Sequence, residues 1–368
     1  MVHSAQLLLR EVQIKNFRCF DNKTITFNSP LVLIQGLNGA GKTSLLEALH
    51  YACYLRSFRT HLPRDLVQMG YDGFFVRAVF DTELFNQTLQ HEVQVGFSGK
   101  KRLVKVDQRP VSSYKELMDH YRVVTLTEDD LSLISGGPES RRAFLDQAIL
   151  LCDPEFITTI RAFKATVDSR NAMLASGRVD KETYAIWTEQ LWHKSRLIQD
   201  QRRAILTNFE TEANILIKEY FGGQLTITLE YQPKGIGKLA TWEETLSQHN
   251  QLLNEEARFG RTLFGAHLDD FQIKLQDKRT KNYASRGQQK FVVLLLKITN
   301  IKRVTQQKGP IIFLLDDFMT DFDSNKATIL LNILTSLSSQ LIFTSPLKTG
   351  FFEHKLLAMG AHKVKLTA

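Results

Sequence analysis

Eight consecutive residues, Gly36-Leu37-Asn38-Gly39-Ala40-Gly41-Lys42-Thr43, restrict what this chain can fold into more than any other stretch. They fit G-x-x-x-x-G-K-[ST], in which glycines let backbone N–H groups turn inward around a phosphate chain. Both flanks agree. Leu31-Val32-Leu33-Ile34 reads as a buried strand, and Ser44-Leu45-Leu46-Glu47-Ala48-Leu49 opens a helix whose positive end faces the loop. In such a loop Lys42 reaches the β- and γ-phosphates, and the Thr43 hydroxyl ligates Mg²⁺. Gly36 to Ser44 is therefore the expected nucleotide site. An ordinary glycine-rich turn before a helix would need neither Lys-Thr nor the strand. Arg18, in the loop after the first strand, could reach a nucleotide phosphate, and it could equally be a solvated surface cation.

The 368 residues suffice for a large core and two lobes. A net charge of +8 and a pI near 9.2 favour a polyanionic partner, or mean only a positively biased surface. Cys19, Cys53 and Cys152 are far apart and show neither zinc spacing nor a disulfide framework, which suits a reducing cytoplasm. The first residues lack a signal peptide's pattern, and no apolar run approaches the ~20 residues that cross a bilayer. The expectation is a cytoplasmic protein without a membrane partner.

Leu7–Asn16 alternates as a strand, Thr24–Phe27 is a second, and the helix after the phosphate loop runs to about Leu55. Residues 74–107 alternate again, as antiparallel strands joined by hairpins. Lys100, Lys101, Arg102, Lys105 and Arg109 make a basic edge there. It could lie along a nucleic-acid backbone or keep a sheet edge from aggregating. Val123–Leu126 is a short strand, followed by a capped helix start at Thr127–Leu131. Residues 155–220 read as two or three long helices. The expected division is an α/β lobe from 1–120 and 221–368, with 121–220 as an inserted helical lobe.

Ile311-Ile312-Phe313-Leu314-Leu315-Asp316-Asp317 is an apolar run ending in two acids, like a buried parallel strand delivering a carboxylate to its C-terminal edge. Asp316 is assigned to Mg²⁺, and Asp317 to orienting or deprotonating the attacking water. Otherwise the pair would be helix-capping acids. Further upstream, Ser285-Arg286-Gly287-Gln288 opens an apolar helix and offers a second anion-binding geometry. One nucleotide rarely needs two phosphate grips, so this one is expected to serve a partner subunit's nucleotide.

Together, the phosphate loop, Ala284-Ser285-Arg286-Gly287-Gln288-Gln289-Lys290, Leu314-Leu315-Asp316-Asp317 and Thr320-Asp321-Phe322-Asp323 resemble the ABC-type ATPases of the SMC class. Asn16-Phe17-Arg18 and Leu126–Asp146, with its Ser135-Gly136-Gly137-Pro138-Glu139-Ser140-Arg141-Arg142, look like the RecF family of DNA recombination and repair ATPases. The likeness runs from Leu8 to about Pro346 and is weakest across the helical arm. It implies an SMC-like P-loop ATPase head with an inserted helical lobe. ATP would be sandwiched in a homodimer, with Ser285, Gly287 and Gln288 acting in trans and Asp323 as the D-loop aspartate. Thr344-Ser345 falls where other ABC proteins place a switch histidine. The family binds DNA near duplex–gap junctions and works with RecO and RecR to load the recombinase RecA.

Departures mark a divergent member. Gly265-Ala266-His267-Leu268-Asp269-Asp270 replaces Gly-Pro-His-Arg-Asp-Asp, and Arg286 replaces Gln. Thr320-Asp321-Phe322-Asp323 stands for Ser-Glu-Leu-Asp. Aspartate at 317 fits the family, and its short reach implies slow hydrolysis. The expected activity is an ATP-gated DNA clamp with weak ATPase turnover. Lys100, Lys101, Arg102 and Arg141 are its candidate DNA contacts. A rival is a phosphate-loop ATPase coupled to a nuclease, for which Asp269-Asp270 is the only other adjacent acid pair to suggest a metal cluster. A protein with a purely structural nucleotide site and a small-molecule kinase are the remaining alternatives.

Overall fold

The computed structural model describes residues 7–84, 87–99, 101–111, 114–177, 180–223, 225–235, 241–347 and 350–367. Lys100 lies outside them. The chain divides into two compact units, Met1–Asp130 with Lys297–Ala368, and Leu131–Leu296.

The first unit opens with β1 (Leu7–Phe17), β2 (Phe20–Thr26), β3 (Leu31–Gly36) and α1 (Lys42–Tyr54). It continues through β4 (Gly73–Leu84), β5 (Gln87–Ser98), β6 (Lys101–Val106), β7 (Arg109–Pro110), α2 (Tyr114–His120) and β8 (Val123–Leu126). The second unit holds α3 (Ser132–Ser135), α4 (Pro138–Cys152), α5 (Phe156–Ala175), α6 (Lys181–Phe221), β9 (Ile227–Gln232), α7 (Trp242–Ser247), α8 (His249–Phe259), β10 (Asp270–Leu275), β11 (Lys278–Arg279) and α9 (Thr280–Tyr283). Helix α10 (Arg286–Lys308) carries the chain across the division. Then β12 (Ile312–Leu315), α11 (Ser324–Thr335), β13 (Gln340–Ser345), α12 (Phe351–Ala358) and β14 (His362–Leu366) complete the first unit.

Two sheets build the first unit. One is antiparallel, in the order β2-β1-β4-β5-β6-β7, and its strands alternate: Val12 and Ile14 are buried while Gln13 and Lys15 are not. The other is parallel, in the order β14-β3-β13-β12-β8. Its inner strands are continuous apolar runs, as burial on both faces demands, and every residue of β3, β12 and β13 is buried. Leu315 pairs with Phe343, and Thr344 with Ile34. This register brings the ends of β3, β12 and β13 to one edge, where a parallel sheet presents ligands. Gln340 ties the two sheets together: its amide exchanges hydrogen bonds with the Leu9 backbone at 2.7 and 3.1 Å.

In the second unit α6 runs for 41 residues, N-capped by Asp180 and stopped at Gly222 in the left-handed region. Its buried positions recur every three or four residues, from Tyr184 through Leu191, Ile198, Ile205 and Phe209 to Leu216. The expected helical stretch is thus two helices, α5 and α6. Two arginines buried here are paired with carboxylates. Arg170 meets Glu256 at 2.5 Å between the rings of Tyr184 and Phe264, and Arg202 grips Asp146 at 2.8 and 2.9 Å.

The boundaries expected at 120 and 221 differ from this division. β9, β10 and β11 have the alternation of head strands, but they pair with one another in their own sheet. They pack on α4 and α6, so residues 221–296 belong with the helices. Conversely β8 is the edge strand of the parallel sheet, which keeps residues 121–130 in the first unit.

Candidate nucleotide site

The turn from β3 into α1 is the expected phosphate loop. Gly41 caps α1 at φ 90°, and a Cβ there would lie 2.7 Å from both Cys19 Sγ and Phe20 Cζ. The β1–β2 turn therefore backs the loop, and only glycine fits. No side chain caps α1 and no acid occupies its first turn, so its N–H groups and positive end remain available to an anion. Lys42 is buried, with Nζ 3.2 Å from the Gly36 carbonyl, 3.4 Å from that of Leu37 and 3.8 Å from Asp317 Oδ2.

Opposite the loop, the Thr43 hydroxyl donates to Asp316 Oδ2 at 2.6 Å across 273 residues of sequence. The other Asp316 oxygen accepts from Thr344 Oγ1 at 2.7 Å. Asp317 takes a left-handed conformation, φ 48°, and its N–H donates to Thr344 Oγ1 at 2.9 Å. Burial pushes the Asp317 carboxyl above the usual carboxylate range. Nearby Lys42 works against that shift, and Asp316 adds to it. A hydroxyl and a carboxylate oxygen side by side form the hard donor set that Mg²⁺ prefers, so Thr43 and Asp316 fit a magnesium ion. The arrangement can hold a metal-bound triphosphate, with Lys42 for its terminal phosphates and Asp317 beside them for a water.

In the second unit, Ser285 and Gln288 bond reciprocally. The Gln288 side chain accepts from the Ser285 N–H at 2.9 Å, and the Gln288 N–H donates to Ser285 Oγ at 3.3 Å. This is a capping box with glutamine at its third position, a signal readable in S-x-x-Q. Both residues are exposed, and Gly287 has open space around it. Asp323 caps α11, accepting from the Lys326 N–H at 2.9 Å.

Other expected residues are placed differently. The guanidinium of Arg18 forks onto Glu47, with two contacts at 2.8 Å, and also donates to the Asp65 carbonyl. Glu47 is fully buried on α1, so Arg18 braces the loop's helix. Arg141, expected on DNA, forks onto Asp270 at 2.6 and 3.0 Å and donates to the Gly136 carbonyl at 3.1 Å. Lys101 and Arg102 are exposed on β6, and the Arg102 guanidinium lies over the Tyr51 ring at 5.5 Å. The acids considered for a nuclease centre are occupied. Arg141 holds Asp270, while Asp269 accepts from Gln199, Tyr231 and the Lys234 N–H at 2.7, 2.8 and 3.0 Å.

Three buried residues behind the site carried no motif. His50 on α1 meets Thr125 Oγ1 at 2.9 Å. Lys297 on α10 donates to the Thr125 carbonyl at 2.9 Å and pairs with Asp130 at 2.7 Å. Burial, then the charge of Lys297, lowers the His50 pKa to about 3, so the imidazole is neutral.

A protein-family model described as an AAA domain matches residues 11–308. The protein named DNA replication and repair protein RecF of Leptospira interrogans is 28% identical over 92% of each chain. That of Acholeplasma laidlawii is 29% identical over 92% of this chain and 94% of its own. Among solved structures, the recombination mediator protein RecF bound to ATP superposes with a TM-score of 0.80 at 24% identity, covering 94% of this chain and 95% of that one. The Smc head domain of Pyrococcus furiosus superposes with a TM-score of 0.54 at 13% identity, covering 98% of this chain and 93% of that one. The SMC-like head architecture expected from the motifs is the one found, and the resemblance to RecF extends over nine-tenths of the chain.

Proposed function

This chain belongs to the AAA-domain family, and we propose on that footing that it is an ATP-switched, DNA-binding ATPase of recombinational repair and replication-fork maintenance. The coarse assignment, a DNA repair and recombination ATPase, follows the proteins it resembles. In the finer reading, two copies close on ATP and clamp duplex DNA near single-strand gaps. With RecO- and RecR-type mediators they promote loading of a RecA-type recombinase, and slow hydrolysis resets them.

One observation carries the nucleotide half: Thr43 and Asp316 meet at 2.6 Å beside a buried Lys42, though they are remote in sequence. Mg²⁺, when bound there, supplies charge neutralisation between the phosphates. Lys42 and the N–H groups of α1 bind and orient the triphosphate. Asp317 is the residue suited to take the proton of an attacking water. The dimer half is supported by Ser285 and Gln288, an exposed, capped helix start whose Ser285 hydroxyl has a hydrogen to offer a partner's γ-phosphate. Because each copy would grip the other's nucleotide, dimerisation is linked to ATP and lost when the γ-phosphate leaves. Lys101 and Arg102 remain the candidate phosphate contacts for DNA, whereas the Arg141 guanidinium is committed to Asp270. Asp269 and Asp270 likewise have protein partners, which counts against the nuclease-coupled reading.

Analytical ultracentrifugation with ATP, ADP and no nucleotide tests this reading. The expected result is a dimer with ATP alone. Lys42→Ala is expected to remain monomeric with ATP while keeping part of the parent's basal duplex affinity. A Lys42→Ala variant that still dimerises on ATP refutes the switch.

A further inference from the structure

Thr344 has more hydrogen-bond demand around it than it can meet at once. Its hydroxyl offers one hydrogen and two lone pairs. One lone pair accepts the Asp317 N–H at 2.9 Å. The single hydrogen has two carboxylate oxygens in reach, Asp316 Oδ1 at 2.7 Å and Asp317 Oδ1 at 3.3 Å. The residue is 3% exposed, so water scarcely competes for that hydrogen. Asp316 has the shorter contact, and Thr43 donates to its second oxygen as well. Asp317, the carboxylate read as the base, has the longer of the two, with Lys42 Nζ 3.8 Å from its other oxygen.

We propose that Thr344 is a positioning residue that passes its hydroxyl hydrogen from Asp316 to Asp317 when a metal–nucleotide engages Asp316. The base then gains the full hydrogen bond of that hydroxyl in the loaded site. A cation drawing on Asp316 makes that carboxylate a poorer acceptor. The Asp317 N–H bond fixes Oγ1 in place, so rotation about the Cβ–Oγ1 bond alone redirects the hydrogen. The same bond is made from the left-handed backbone of Asp317, φ 48°, a conformation that L side chains rarely adopt and keep where their surroundings enforce it. One side chain thus touches both the backbone and the carboxylate of the acid that follows the preceding strand, β12.

The inference rests on reading Asp317 as the base, and the experiment separates the two. Thr344→Val removes the hydroxyl at nearly constant shape, Thr344→Ser keeps it, and Asp317→Asn is measured in parallel, all in the full chain. Steady-state ATP hydrolysis gives kcat. Equilibrium binding of a fluorescent ATP analogue with Mg²⁺ and in EDTA gives affinity, and deuterium exchange reports the Asp317 amide. Thr344→Val is expected to lower kcat at least tenfold while holding Mg²⁺–nucleotide affinity within threefold, with faster exchange at Asp317. Thr344→Ser is expected to restore kcat to within threefold of the parent. A Thr344→Val kcat within twofold of the parent overturns the inference. So does a Thr344→Ser variant as slow as Thr344→Val, or a parallel loss of affinity and kcat, since either marks Thr344 as packing. If Asp317→Asn is inactive while Thr344→Val is unimpaired, only the role of Thr344 falls. Undiminished turnover in Asp317→Asn overturns the base and the inference together.

Discussion

Arg141→Ala is expected to damage the fold of the second unit and to leave the salt dependence of DNA binding unchanged. The side chain makes two charge-assisted bonds to Asp270, at 2.6 and 3.0 Å, and one to the Gly136 carbonyl at 3.1 Å. Truncation leaves Asp270 with its own Phe271 N–H at 2.8 Å and the nearby charge of Arg142. Breaking a fully buried pair costs about 3–5 kcal/mol. Here the two side chains keep 11% and 17% exposure, so water recovers part of that, and a loss of about 2–3 kcal/mol is expected. The assay is available in the sequence: Trp187, Trp192 and Trp242 are its three tryptophans, and all lie in the second unit. Their fluorescence in a urea titration follows that unit, with the two-state assumption applied to it alone. A double-mutant cycle with Asp270→Asn is expected to show a coupling of about 1 kcal/mol or more, because the double variant strands no charge. An Arg141→Ala protein of parental stability, with DNA affinity reduced and its salt slope lowered by about one, would refute the assignment and return Arg141 to the DNA surface.

Gly41→Ala is expected to abolish nucleotide binding, because its Cβ would collide with Cys19 Sγ and Phe20 at 2.7 Å in a backbone already at φ 90°; equilibrium binding of a fluorescent ATP analogue checks it. Asp317→Asn is expected to hold the ATP-bound dimer on DNA, seen as slowed dissociation after ATP is chased. Acid should weaken both units. His267 is lowered to about 4 and His50 to about 3, in each case first by burial and then by neighbouring cations. Both are therefore neutral when folded and protonated when unfolded below about pH 6.5. Stability present above that pH is lost as pH falls, from ~6.5 down to about 4 for His267 and about 3 for His50. Each contributes a slope of about 1.4 kcal/mol per pH unit well inside its window. Replacing His267 with Gln should remove that slope from the tryptophan-monitored transition between pH 6 and 5.

What the sequence disclosed, and what it hid, follows from where each constraint resides. The loop Gly36–Thr43 and the strand ending in Asp316 were legible because phosphate and metal chemistry dictates residue type, and the flanking apolar runs dictate burial. Nothing local distinguishes Arg141 from a free cation. Its pairing depends on Asp270, 129 residues away, at the start of β10. The pairing of Arg18 is hidden for the same reason, since its partner Glu47 sits inside a largely apolar helix. The boundary expected at 221 differs from the division into compact units because alternation marks a strand without saying which sheet it joins. Thr344 was noticed only as a position in a family pattern. Its contacts with both acids arise from the pairing of β13 with β12 and cannot be read along the chain.

The strand that delivers the phosphate loop is made early and finished late. β3 lies between β13 and β14, which contribute residues 340–345 and 362–366, and the Leu366 carbonyl would be 3.0 Å from a Cβ at Gly36. A nascent chain therefore carries the loop, backed by the β1–β2 turn, on a strand that lacks both its parallel neighbours for more than three hundred residues of synthesis. Contacts this remote along the chain form slowly. ATP can then act as an inspector of completed folding, engaging only those molecules whose final strands have found their seats.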